Sequence, residues 1–370
     1  MSLILYNVQI SKHTILKGPH KTGTTALQAF IYDQVDKGGA IFTFDNFRIP
    51  TYEELPGVFG KEGIMLNLPH CSLEKYKASG GQMLSPMCDR MRSAFPKFMH
   101  DAYNKSEDVL FVAEDFDRIA INNERLHFYL RPYKKIKVVV MYRRLHEWLP
   151  SFYNQIMQHY NLVYAKGEEE YPSFVAWLNE HYDEFLDVHA IRVAERYRSQ
   201  HWVTTVDIIN MHEVAETSNL IEYFFCNALD AEATCQAIRD GARPPKSNIG
   251  ADHDYERLAV KASLGGKISA KFTKPIHLVK ATRSLVMKVN EMNAVDTLPR
   301  ICPPKQLLDQ ILATEIEHEK TYFPEWFTSH GGEEGLQQSF DKAVKKKFCS
   351  LDADKIIESG MLDSVFKQLA

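Results

Sequence analysis

The first half of the chain alternates short apolar runs with amphipathic stretches. Thr14 to Lys17 is a short strand candidate running into Gly18-Pro19, and Thr24 to Val35 then reads as a helix. Asp108-Val-Leu-Phe-Val-Ala113 is a second apolar run, followed by a loop and a helix near 122–130. Lys135 to Tyr142 contains Val138-Val139-Val140-Met141, a continuous run of the kind found in strands covered on both faces. A helix over about 145–160 follows it, and 203–209 is a fourth strand candidate. Strands separated by helices predict a parallel sheet with helices on both faces. Phe174, Trp177, Leu178, Tyr182 and Phe185 recur at helical spacing and read as core. Beyond Arg243-Pro-Pro-Lys246 the pattern is mainly helical, with breaks at Gly265-Gly266 and Pro303-Pro304. The charges of 342–347 read as a solvated helix face. No long polar linker interrupts the chain, so 1–370 is expected to be one α/β domain with a helical C-terminal layer.

Composition narrows the partners. The 370 residues are 45% hydrophobic and 25% charged, with a net charge of −4 and a pI near 6.4. A dedicated nucleic-acid binder would show a basic excess, so nucleic acid is not an expected partner. A local basic stretch does exist, at Arg131, Lys134, Lys135, Lys137, Arg143 and Arg144. The six cysteines form no C-x-x-C pair and have no metal-ligand spacing. They read as free thiols in a reducing compartment, with a Cys226–Cys235 bridge left open. Residues 1–10 lack the pattern of a secretory signal, and no apolar stretch approaches the roughly 18 residues of a membrane span. The expectation is a soluble, cytoplasmic protein without a membrane span.

The sharpest chemical signal is Gly18-Pro-His-Lys-Thr-Gly-Thr-Thr25, placed between a strand candidate and a helix. Backbone N–H groups and the helix dipole can hold an anion there. Gly18 and Gly23 allow close backbone approach, Thr22, Thr24 and Thr25 add amides and hydroxyls, and Lys21 adds a mobile cation. Gly18 and Gly23 share the spacing of the NTPase loop, but Thr24 stands where that loop has its lysine.

A second element follows the third strand. Arg143, at the strand's carboxyl end, faces the crevice where α/β sheets bind ligands, and its planar fork suits phosphate. Ser151 comes eight positions later, about two turns into the next helix, followed by Phe152-Tyr153.

Together these residues resemble the family of sulfotransferases that use 3′-phosphoadenosine 5′-phosphosulfate (PAPS). His20-Lys-Thr-Gly-Thr-Thr-Ala-Leu27 is similar to the 5′-phosphosulfate loop of carbohydrate-type and bacterial-type members; cytosolic members usually have an aromatic residue where Ala26 stands. The Arg143…Ser151 spacing resembles the family's 3′-phosphate element, and Arg243 and Lys246 fall where a late basic loop closes over that phosphate. The resemblance implies a P-loop-like central parallel sheet flanked by helices, a nucleotide-binding core over about 13–250 and a helical part over about 251–370. It implies transfer of a sulfuryl group from PAPS to a hydroxyl or amine, with release of PAP and no metal. Lys21 would neutralise the leaving oxygen. Glu114, just after the second strand, or His20 would take the acceptor's proton; His146 reads as pointing along its helix. The acceptor could be a small molecule or a carbohydrate, and the Tyr and Phe residues of 152–185 could line its pocket or be core. Two further functions fit the same loop: a nucleotide kinase or other NTPase, and a PAP-binding protein without activity.

Overall fold

A computed structural model gives the fold and describes residues 2–7, 27, 30, 31, 33–35, 40–51, 54, 86–113, 130–164, 172–241, 253–268 and 275–369. The chain divides into two compact units. The first comprises Met1–His13, Lys21–Arg143 and Asp183–Ser247, and the second Thr14–His20, Arg144–Tyr182 and Asn248–Ala370.

The first unit is built on a parallel sheet of five strands. These are β1 (Ser2–Asn7), β2 (Phe47–Arg48), β3 (Asp108–Ala113), β4 (Lys135–Tyr142) and β5 (Thr205–Asn210), in the order β2-β3-β1-β4-β5. Every neighbouring pair is parallel. The β-branched and aromatic runs Val109-Leu-Phe-Val112 and Val138-Val-Val140 are buried throughout, as strands covered on both faces require. Their alternation divides the cover. Phe111 meets Phe95 and Phe98 of helix α1 (Pro86–Asn104) at 5.7 and 6.1 Å between ring centres. Leu110, Val112, Val139 and Met141 instead belong to a core with Leu27, Phe30, Ile31, Phe42 and Phe225. The described residues at 27, 30, 31 and 33–35 are helical, in line with a helix after the glycine loop. Their i, i+3, i+4 spacing puts Leu27, Phe30 and Ile31 on one buried stripe.

Register decides what this sheet can present. Asn7 at the end of β1 lies opposite Ala113 of β3 and Val140 of β4. The carboxyl ends of three adjacent strands therefore share one edge, and the chain leaves β1 for strands on one side before returning to the other. In open α/β sheets that edge is the usual ligand site.

The second unit is helical. Its helices include α2 (Leu145–Tyr164), the first part of α3 (Phe174–Val188), α6 (His253–Leu264), α7 (Pro275–Glu291), α8 (Lys305–Tyr322) and α9 (Gly332–Ala343); α4 (Ala190–Arg198) and α5 (Glu232–Arg239) belong to the first unit. Trp148 stacks on Phe152 at 4.6 Å, and Tyr153, Phe174, Trp177 and Phe348 complete an aromatic cluster. A further core joins Leu258, Leu278, Leu285 and Val289 to Leu351, Ile356 and Phe366. The aromatic residues Phe174, Trp177, Tyr182 and Phe185 are buried, so they are core as expected. The helix before Gly265-Gly266 ends at Leu264, the helix after Pro303-Pro304 begins at Lys305, and Lys345, Lys346 and Lys347 are exposed.

Several expectations need correction. The sequence suggested no strand at Ser2–Asn7, which holds the middle of the sheet; the strand candidate at 14–17 lies outside the described residues. The free-thiol expectation fails at four positions. Cys226 bonds Cys235, tying the π-turn Phe224–Ala228 to α5, and Cys302 bonds Cys349. The latter joins the two strands of a small antiparallel ribbon, β6 (Arg300–Ile301) and β7 (Ser350–Leu351). No described helix is long and apolar enough to cross a membrane.

The Cys302–Cys349 bridge closes a loop of 47 residues. Loop-closure entropy for that length is worth about 3–4 kcal/mol. Replacing both cysteines with serine should lower the unfolding free energy by about that amount in denaturant titration. A change below about 1 kcal/mol would mean the bridge constrains little.

Candidate functional site

Most of the residues singled out by the sequence, namely Gly18, His20, Lys21, Thr22, Gly23, Thr24, Thr25, Glu114, Arg243 and Lys246, lie outside the described residues. The structure describes the ends from which two of these segments spring. Ala113, the residue before Glu114, closes β3 directly opposite Asn7, and helical residues from Leu27 onward follow the glycine loop.

Arg143 and Ser151 are both described. Arg143 is half-buried and follows the last residue of β4. Its carbonyl accepts a hydrogen bond from His189 Nε2 at 3.0 Å, and since a carbonyl can only accept, Nε2 carries the proton. His189 is buried, and its ring meets the fully buried Tyr142 edge-on at 5.6 Å. The main chain is thus held where β4 ends and Arg143 begins. Ser151 is half-buried in α2, between Pro150 and the core residues Phe152 and Tyr153. Tyr153 also donates its hydroxyl to the Pro172 carbonyl at 2.8 Å. Arg143 belongs to the first unit and Ser151 to the second, and each is positioned by its own unit.

The second unit contains a polar cluster that the sequence reading did not find. Glu319 of α8 grips Arg144 with both oxygens, Nε to Oε1 at 2.6 Å and Nη2 to Oε2 at 3.0 Å. One turn earlier, Glu315 Oε2 lies 2.7 Å from His146 Nδ1. His146 Nε2 lies 3.2 Å from Ser339 Oγ of α9, and Phe340 meets the imidazole edge-on at 5.8 Å. Both glutamates and His146 are buried. The expectation that His146 points along its helix is overturned: it points into the packing between helices. A signal was present. Leu307 and Ile311 are buried core positions of α8, and continuing their four-residue step lands on Glu315 and Glu319.

Burial pushes the Glu315 carboxyl above the usual range, and the hydrogen bond and charge of His146 oppose that rise, with Glu319 adding to it and Arg144 subtracting. The folded state then holds the Glu315 proton more tightly than the unfolded chain does. The resulting stability is full below the unfolded pKa of about 4.3 and is lost as pH rises through the folded value. Glu315→Gln keeps an acceptor for His146 without a charge to bury. Its melting temperature relative to the parent should therefore improve as pH rises above about 4.5. A difference independent of pH would contradict this.

Three other arrangements lack the chemistry of a site. Ser339, His146 and Glu315 stand in the order of a hydrolase triad, but Ser339 sits inside α9, where its own amide is spent on the helix ladder and cannot serve an oxyanion. An open pocket of about 540 Å³ beside α3 and α4 is spanned by its own ion pairs, Arg192–Glu195 at 3.1 Å and Arg196–Asp187 at 3.0 Å. Among the described residues, no group of His, Cys, Asp and Glu has the arrangement of a metal site.

Comparison with family models, curated proteins and solved structures finds no match for this chain.

Proposed function

We propose that this chain is a PAPS-dependent sulfotransferase, with a P-loop-like sheet carrying the nucleotide. The observation that carries the proposal is the pair of phosphate-binding patterns in the sequence, Gly18–Thr25 and Arg143…Ser151, the second opening at the carboxyl end of a parallel strand. Shared register of the ends of β1, β3 and β4 supports it, because Ala113, the last residue of β3, and Arg143, which follows β4, then lie at one edge of the sheet.

The chemistry is an in-line displacement at sulfur. The acceptor oxygen or nitrogen forms a bond to sulfur while the bond from sulfur to the bridging phosphate oxygen breaks, and that oxygen keeps the electron pair as PAP departs. The acceptor's proton goes to Glu114, with His20 as the other candidate base. Lys21 balances charge on the departing oxygen, and amides of 22–25 hold the 5′-phosphate. Arg143 and Ser151 hold the 3′-phosphate, joined by Arg243 and Lys246 from the late loop. The acceptor is a small molecule or a carbohydrate. The two disulfides favour an oxidising compartment over the cytosol for the folded protein.

Titration calorimetry with PAP in EDTA tests the reading, since a kinase or NTPase would need Mg²⁺ with ATP. The expected result is PAP binding in EDTA with no comparable binding of ATP. ATP binding that depends on Mg²⁺, with PAP silent, would overturn it.

A further inference from the structure

Helix α2 starts under unusual constraints. The carbonyl of Arg144 accepts from Glu147 N at 3.0 Å and Trp148 N at 2.8 Å, so Arg144 opens the helix. A cation at a helix N-terminus opposes the macrodipole, and the carboxylate of Glu319 offsets it there. Pro150 has no N–H, so the ladder bond to the His146 carbonyl is absent one residue before Ser151. The start of α2 therefore lacks one ladder bond, and side chains from α8 and α9 hold Arg144 and His146 there.

Aromatic packing of Trp148, Phe152 and Tyr153 fixes which face of α2 points inward. It does little to stop the helix sliding along its axis, because stacked rings slip at small cost compared with a bidentate, part-buried ion pair. Glu315 and Glu319, one turn apart on α8, supply that axial stop through His146 and Arg144. Buried charged clusters are costly for stability alone, and fixing a register is their best-attested use.

We propose that Glu315 and Glu319 are positioning residues for the Ser151 hydroxyl, holding it at the place where it meets the nucleotide's 3′-phosphate. This rests on the sulfotransferase reading and goes beyond it by assigning function to Glu315, Glu319, Arg144 and His146, none of which the two phosphate patterns include as a contact. Arg144 and His146 are the handles, and Ser339 braces His146 from the far side.

The test is a double-mutant cycle read with two nucleotides. PAP carries the 3′-phosphate and adenosine 5′-phosphosulfate (APS) lacks it. Calorimetry on the full chain should show Glu319→Gln weakening PAP roughly tenfold while APS changes less than about twofold. In a Ser151→Ala background the same substitution should change PAP affinity by less than about twofold, because the contact it served is gone. Arg144→Lys keeps the charge but loses the fork, and should show the same pattern more weakly if Glu319→Gln does not fold. Equal losses for PAP and APS, or an undiminished loss in the Ser151→Ala background, would show a purely structural cluster and overturn the proposal alone. An unmodified chain that binds no PAP would overturn the sulfotransferase reading, and this assignment with it.

Discussion

Lys21→Ala should lower sulfuryl-transfer turnover by about 10²–10³-fold and leave the thermal unfolding of the protein unchanged. The departing bridging oxygen gains negative charge only as the bond to sulfur breaks. A cation aimed at it stabilises the transition state far more than bound PAPS. The loss should therefore appear in kcat, with KM for PAPS changed much less. Lys21→Arg should recover part of the rate, since it restores charge with different geometry. A Lys21→Ala variant with near-full turnover would remove Lys21 from the mechanism and leave the glycine loop as a binding element only.

Arg143→Ala should weaken PAP binding by about 2–4 kcal/mol, roughly 30- to 1,000-fold. Affinity for APS should fall far less, because that nucleotide lacks the phosphate which Arg143 is assigned to hold. The His189 bond to the Arg143 carbonyl is made by the main chain, so it survives the substitution. Loss of the side chain is then separated from loss of local structure. Equal weakening for both nucleotides would place Arg143 elsewhere in the site.

The sheet was legible where strands are buried on both faces. Asp108–Ala113 and Lys135–Tyr142 read as continuous apolar runs and are strands with those bounds. Thr205–Asn210 is shifted slightly from the expected 203–209, as edges of short strands tend to be. β1 escaped notice because Leu3-Ile-Leu-Tyr6 is too short to signal more than an apolar N-terminus, and only pairing with β3 and β4 makes it a strand. Unit membership was not legible, since the grouping of 144–182 with the C-terminal helices depends on contacts far apart in sequence. The disulfides were hidden for the same reason, Cys302 and Cys349 being brought together by a ribbon of two-residue strands. The candidate site shows the opposite balance. Its phosphate patterns are local and readable, whereas the Arg144–Glu319 and His146–Glu315 pairs join residues about 170 positions apart.

Transfer of radiolabelled sulfuryl from PAPS, in EDTA and across acceptors bearing sugar hydroxyls, sugar amines, phenols, sterols and small alcohols, tests the central claim most directly. The account predicts a labelled product with at least one acceptor class, formed with one PAP per transfer and about 10²–10³-fold more slowly by Lys21→Ala. PAP binding without product from any class would mark a nucleotide-binding protein without transferase activity, and labelled product formed equally by Lys21→Ala would contradict the mechanism assigned to this loop.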